Sequence, residues 1–228
     1  MRKGIVFRRA CALSIFCCLT SSSSHADIII DSFNRPHSAI ATLPDLTDTD
    51  WATGTGILGG RRLATAFVNF TSGSIRNTAN LNGADSLIWT AFGANEGLVS
   101  VQWPDLVDAD LTDNHTLGGF ELDVTYNMGE IDLLISVTDV EDNSANAELT
   151  IPAPWMGFKT YFIPFSAFSG IDMTHVRQAL LGTNGFIGPN EQIHFGELRA
   201  VAPEPSACAL FGLAAVALAR RRRRDGVR

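Results

Sequence analysis

Between Asp27 and Ala202 the chain has no cysteine; Cys11, Cys17 and Cys18 lie before this stretch and Cys208 after it. That excludes a disulfide framework there, and a cysteine nucleophile with it. The stretch must hold together through a buried core, and about 175 residues can build one. Basic residues are scarce as well: seven against 22 acidic ones between 27 and 202, a net charge of −15. Such a surface repels phosphate backbones, so nucleic acid is excluded as a partner. Catalytic signatures are missing. His37, His115, His175 and His194 lack zinc-ligand spacing, and there is no Gly-x-Ser-x-Gly elbow. Gly59-Gly60-Arg61-Arg62 runs into a strand pattern rather than a helix, which reads as a turn and not a phosphate cradle. No internal repeat and no low-complexity linker divides the region, so it reads as one domain, 27–200.

The two ends differ from this middle. Arg2, Lys3, Arg8 and Arg9 precede an apolar run at 10–19, and Ser24-His25-Ala26 is a small-x-small step. This is a signal-peptide pattern over 1–26, with cleavage expected between Ala26 and Asp27. The apolar run is too short to span roughly 30 Å of hydrocarbon comfortably. The last segment, 201–228, has three parts in fixed order: Pro203-Glu204-Pro205, an apolar run over 206–219, and Arg220, Arg221, Arg222, Arg223 and Arg224. The prolines resist helix and hold the peptide extended. The apolar run is suited to enter a bilayer as a transmembrane helix, and the arginines stop transfer on the cytoplasmic side.

That order resembles the PEP-CTERM sorting signal. The resemblance implies processing by an exosortase-type membrane peptidase at Pro203-Glu204-Pro205. It also implies passage through the secretion machinery, a transient stay in the inner membrane, and a final place at the cell surface or outside the cell.

Period-two alternation dominates the middle. Phe120, Leu122, Val124 and Tyr126 alternate with Glu121, Asp123 and Thr125, and Ile131, Leu133, Ile135 and Val137 form a second such run. Ala147, Leu149 and Ile151 form a third, and Val99, Val101 and Trp103 a fourth. These are strands with one buried face. Further strands are expected at 28–31, 62–70, 86–92, 159–165 and 192–200, with hairpin turns at 127–129 and 142–144. The segment 172–181 fits a helix through Met173, Val176 and Leu180, or a strand through 176–181. Some ten short strands with Gly, Asn and Asp turns make an all-β fold, an antiparallel β-sandwich of jelly-roll type.

Several segments in order (IIIDSFNRP, Trp51, GGRR, GFELDVTYNMGEIDLLISVTD, GFKTYFIPFSAFSGID and IHFGELRAV) are similar to galactose-binding-like jelly rolls. The resemblance implies that the first and last strands pair, and that the Phe165-x-x-Phe168-x-x-x-Asp172 region joins two late strands. It also implies a structural calcium ion near the first strand, with Asp31 or Asn34 as ligands.

Candidate sites follow from residue chemistry. Asp105, Asp108, Asp110 and Asp113 sit within nine residues, an oxygen-rich loop that suits calcium or a plain solvated surface. Asp45, Asp48 and Asp50, and Asp139, Glu141 and Asp142, are two smaller acidic clusters. Indole faces stack on sugar rings; Trp51 and Trp155 lie in loop-like contexts and are the ligand-binding candidates, whereas Trp89 and Trp103 lie in strand patterns and belong to the core. No catalytic residue is singled out. The expectation is a non-enzymatic, exported structural or adhesive ectodomain. The alternatives are a carbohydrate-binding module acting on extracellular polysaccharide, or a glycoside hydrolase whose two carboxylates only the fold would bring together.

Overall fold

The computed structural model describes residues 27–42, 46–69, 73–80, 85–93 and 96–202. The expected signal peptide with its Ala26–Asp27 cleavage step, and the sorting tail with its transmembrane helix, lie outside or at the margin of these residues. Among the described residues no helix is long and apolar enough to cross a membrane.

Among the described residues thirteen strands follow one another: β1 (Ile28–Asp31), β2 (His37–Thr42), β3 (Thr47–Thr53), β4 (Arg61–Asn69), β5 (Gly73–Ala79), β6 (Leu87–Gly93), β7 (Glu96–Trp103), β8 (Gly119–Asn127), β9 (Ile131–Asp139), β10 (Ser144–Ile151), β11 (Trp155–Pro164), β12 (Val176–Thr183) and β13 (Gln192–Val201). They form two antiparallel sheets. The first has the order β11-β8-β13-β6-β5-β2, with β1 joined to β13 beyond the end of β6. The second has the order β10-β9-β12-β7-β4-β3. This is the expected all-β sandwich. β1 pairs with β13 through Ile28↔Ala200, and the Phe165 to Asp172 segment joins β11 to β12, as the jelly-roll resemblance implied. The ambiguous segment around Val176 is a strand, paired on both sides with β9 and β7. The pattern gave no warning of β2, β3 and β5, whose alternation is diluted by Thr, Ser, Asn and Asp.

Alternating residues from both sheets fill the core: Phe120, Leu122 and Val124 from β8, Leu133 and Val137 from β9, Ala64, Ala66 and Val68 from β4. Trp89 and Trp103 are fully buried there, as expected. Gly97 sits where a side chain would collide with the Phe67 carbonyl and Ile75, so β7 can approach β4 and β5 only at a glycine.

A polar network also crosses the core. Arg62 and Asp31 are both completely buried and form an ion pair. Arg62 donates further bonds to the Arg35 carbonyl and, from Nε, to His37 Nδ1 at 3.1 Å. His37 must therefore carry its proton on Nε2, which donates to Asn77 Oδ1 at 3.0 Å. The same oxygen accepts Trp89 Nε1, while Asn77 Nδ2 donates to the carbonyls of Thr65 and Ser100 on the second sheet. Asp31 accepts from Trp103 Nε1 at 2.8 Å and from the Phe33 N–H at 2.7 Å. Each side chain in the set is hydrogen-bonded, which lets two charges sit in a dry interior. Burial raises the Asp31 pKa against the lowering by Arg62 and the other donors. Burial first, and then the Arg62 charge, lower that of His37 to about 4. The cation beside Asp31 is thus a guanidinium of this chain.

Candidate functional site

Strand β8 begins with Phe120, Leu122 and Val124 facing inward, and strict alternation would put Tyr126 in the core with them. The pairing slips instead. His194 of β13 lies opposite Tyr126 and Phe195 lies opposite Val124, so Thr125 is an extra residue on β8. A bulge of this kind reverses which side chains face out. Tyr126 consequently stands on the outer face of the first sheet and packs against His194, ring centroids 5.0 Å apart and planes tilted by 52°.

The same face continues across the sheet. The register places Met156 (β11), Tyr126, His194, Ile88 (β6), Thr78 (β5) and Ser38 (β2) in one row. The next row carries Gln192, Thr90, Arg76 and Ile40. One step further, Arg76 stacks on the ring of Phe92 at 4.7 Å, and Phe92 is exposed. Phe92 is four residues along β6 from Ile88, so the two aromatic platforms are about 13 Å apart along the strand direction. Thr90 and Thr78 form the floor between them and are buried although they point outward. The His194 Nε2 atom is buried and has no hydrogen-bond partner among the described residues. Burial lowers the His194 pKa, so the ring is neutral at pH 7 and offers either a donor or an acceptor.

The other half of this face is charged and internally satisfied. Arg199 bonds Glu121 at 2.6 Å, Asp123 at 3.2 Å and Glu197 at 3.3 Å, and Thr160 Oγ1 donates to Asp123 at 2.7 Å. Asp27 lies 3.9 Å from the same guanidinium, so four carboxylates share it.

The aromatic candidates from the sequence separate. Trp51 is on β3, exposed on the outer face of the second sheet, opposite Leu63. Arg61 lies over its ring at 4.8 Å and is held there by an ion pair with Asp105. Trp155 opens β11 opposite Asn127 on the first sheet. The two residues thus lie on strands of different sheets.

The acidic loop is likewise distributed. Asp105 pairs with Arg61, and Asp108 pairs with His175 at 2.6 Å. Asp110 accepts the N–H groups of Thr112 and Asn114 and the Thr112 hydroxyl, and Asp113 lies at positive φ in the same loop. The Asp108 carboxylate raises the His175 pKa, and the Thr112 and Asn114 donors outweigh burial to lower that of Asp110. Asp48 and Asp50 accept the outward backbone N–H groups of Ile40 and Ser38, each at 2.7 Å. Asp139 ties its own hairpin through Glu141 N, Asn143 N and Asn143 Nδ2. Among the described residues no three His, Cys, Asp or Glu side chains converge as a metal site.

Tyr126, His194, Phe92 and Arg76 were missed in the sequence. Tyr126 reads as core until the bulge is known, and His194 has no neighbour in sequence that marks it.

No family model matches the chain, and comparison with curated proteins gives no match. Solved structures do resemble it. One is the family 11 carbohydrate-binding module of a Clostridium thermocellum cellulosomal cellulase, 14% identical over 79% of this chain and 97% of that one, TM-score 0.40. Another is a family 30 carbohydrate-binding module, 14% identical over 78% of this chain and 100% of that one, TM-score 0.45. An exo-β-agarase matches 79% of this chain over 25% of its own length, at 12% identity and TM-score 0.44.

Proposed function

We propose that the sandwich binds extracellular polysaccharide on the outer face of its first sheet, and that the protein is exported and sorted to the cell exterior through its tail. The observation that carries the binding reading is the pair of stacking platforms, Tyr126–His194 and Phe92–Arg76, on either side of a floor that holds Ile88, Thr78 and Thr90. Ring faces suit the apolar face of a pyranose, and the half-buried Gln192 beside them can bond a sugar hydroxyl. The carboxylates on this face are engaged by Arg199, which favours binding over hydrolysis. The export reading rests on the residue order Pro203-Glu204-Pro205, 206–219 and Arg220 to Arg224, preceded by the 1–26 signal pattern.

A polysaccharide array tests the first half. Binding should fall at least tenfold in Tyr126→Ala and in Phe92→Ala and be unchanged in Trp51→Ala. Loss only in Trp51→Ala would move the site to the second sheet. Intact mass of the exported protein tests the second half: a mature form that starts at Asp27 and ends in or next to the Pro203-Glu204-Pro205 region supports sorting. A surface form still carrying residue 228 refutes it.

A further inference from the structure

The jelly-roll resemblance implies a structural calcium ion near the first strand, with Asp31 or Asn34 as ligands. Calcium takes about six to eight oxygens at roughly 2.3–2.6 Å. The residues at the end of β1 do not offer them. Both Asp31 oxygens are engaged: Oδ1 accepts the Phe33 N–H and an Arg62 N–H, and Oδ2 accepts Trp103 Nε1. Ser32 Oγ donates to the Gly56 carbonyl, and the Asn34 carbonyl accepts Asn80 Nδ2. Asn34 Oδ1 is buried without a hydrogen-bond partner among the described residues, but it is a single oxygen. A divalent cation at Asp31 would also meet the Arg62 guanidinium, which is completely buried against the same carboxylate.

What the position does fit is a planar cation. Arg62 reaches across from β4 of the second sheet, and each of its nitrogens goes to a different acceptor. Nη1 donates to Asp31 Oδ1 at the end of β1, Nη2 to the Arg35 carbonyl in the turn that follows, and Nε to His37 Nδ1 at the start of β2. The face of the guanidinium is covered as well, with Cζ over the Phe33 ring at 5.4 Å from its centroid. Phe33 holds a φ of 51°, a conformation unfavourable for a bulky side chain. In it the Phe33 N–H meets Asp31 and the ring meets Arg62. Acceptors spread around an edge and a ring on one face match a rigid, planar fork of donors. An ammonium is a compact point charge and does not reach all of them at once.

We infer that Arg62 takes the place that the resemblance gives to calcium: Asp31, the Arg35 carbonyl and His37 form a receptor for a planar guanidinium, and the folded domain takes no divalent cation there. The cation that ties β1 and β2 of the first sheet to β4 of the second is covalently part of the chain. This tie between the sheets therefore holds where calcium is scarce or chelated.

Nuclear magnetic resonance on the isotopically labelled full chain tests the metal half. The Trp103 indole N–H bonds Asp31 and reports on it directly, and the Trp89 indole N–H, bonded to Asn77, is the reference. Millimolar calcium should leave the Trp103 resonance where excess chelator leaves it, whatever calcium the acidic surface collects elsewhere. A calcium-dependent shift of Trp103 larger than that of Trp89 would overturn the inference. Chemical rescue tests the other half. Millimolar ethylguanidinium should raise the melting temperature of Arg62→Ala, since a ligand bound only by the folded state stabilises it, and the same concentration of ethylammonium or calcium should not. No rise with ethylguanidinium, or an equal rise with either of the others, would overturn it. Should Arg62→Ala fail to fold, Arg62→Lys decides: it keeps the charge without the fork and should melt several degrees below the parent. A melting temperature equal to the parent's would mean that any cation serves, and the inference would fall.

Discussion

Acid should loosen this sandwich through His37 before it does so through a general loss of carboxylates. Folded, His37 is neutral because its Nδ1 accepts Arg62 Nε and its environment is dry; burial and the Arg62 charge lower its pKa to about 4, from 6.5. The unfolded chain takes up the proton near pH 6.5, while the folded chain resists it down to about pH 4. Between these values the unfolded state binds more protons, so stability falls as pH falls, by about 3 kcal/mol at full development. Below pH 4 a proton on Nδ1 would face the Arg62 N–H directly. The charged or titratable groups that bear on the ring are Arg62 in contact and Asp50 at longer range. His37→Gln retains an acceptor for Arg62 and a donor for Asn77 but has no proton to gain. Urea unfolding, followed by the fluorescence of buried Trp89 and Trp103 at pH 7, 6, 5 and 4, makes the comparison. The variant should be about 1–2 kcal/mol less stable at pH 7, from imperfect hydrogen-bond geometry. That deficit should close or reverse by pH 4, because other titrating groups are common to both proteins and cancel. A deficit constant across the range would refute the reasoning.

Arg62→Met should cost about 3–5 kcal/mol, since it leaves Asp31 buried without its cation; Asp31→Asn in the same chain should recover part of that, and urea midpoints will show whether the two effects are coupled. Asp48→Ala with Asp50→Ala opens the β2 edge at Ser38 and Ile40. Light scattering should then show concentration-dependent association absent from the parent, and no change would mean the edge is protected in some other way. Gly97→Ala drives a methyl group into the Phe67 carbonyl and Ile75 and should destabilise by about 1–3 kcal/mol, read as a lower melting temperature at unchanged pH.

The strand pattern was legible wherever one face is aliphatic. β8, β9 and β7 announce themselves through Phe120 to Val124, Ile131 to Val137 and Val99 to Trp103. It was weak where the buried positions are small or polar: β2 buries His37, Ala39 and Ala41, and β5 buries Asn77 and Thr78. His37 and Asn77 serve the cross-sheet network, and their partners, Arg62 and Trp89, are distant in sequence. The site was less legible than the fold for a related reason. Tyr126 faces out because Thr125 is one residue too many against β13, a property of pairing that neither strand shows alone. The acidic clusters read as calcium loops or plain solvated surface, yet Asp48 and Asp50 act as caps for a neighbouring strand whose existence the pattern did not reveal.

The last strand has mechanical meaning. β13 runs through the middle of its sheet, hydrogen-bonded to β8 along one side and to β6 and then β1 along the other, and the chain leaves it at Val201 toward the tail. A pull at that exit acts along the strand axis. It strains the ladders with three neighbours together in shear, instead of peeling them apart one bond at a time. Had the chain ended on β11 or β2, the same pull could detach an outer strand from its single partner. A load applied at Val201 is thus borne by the sheet as a whole.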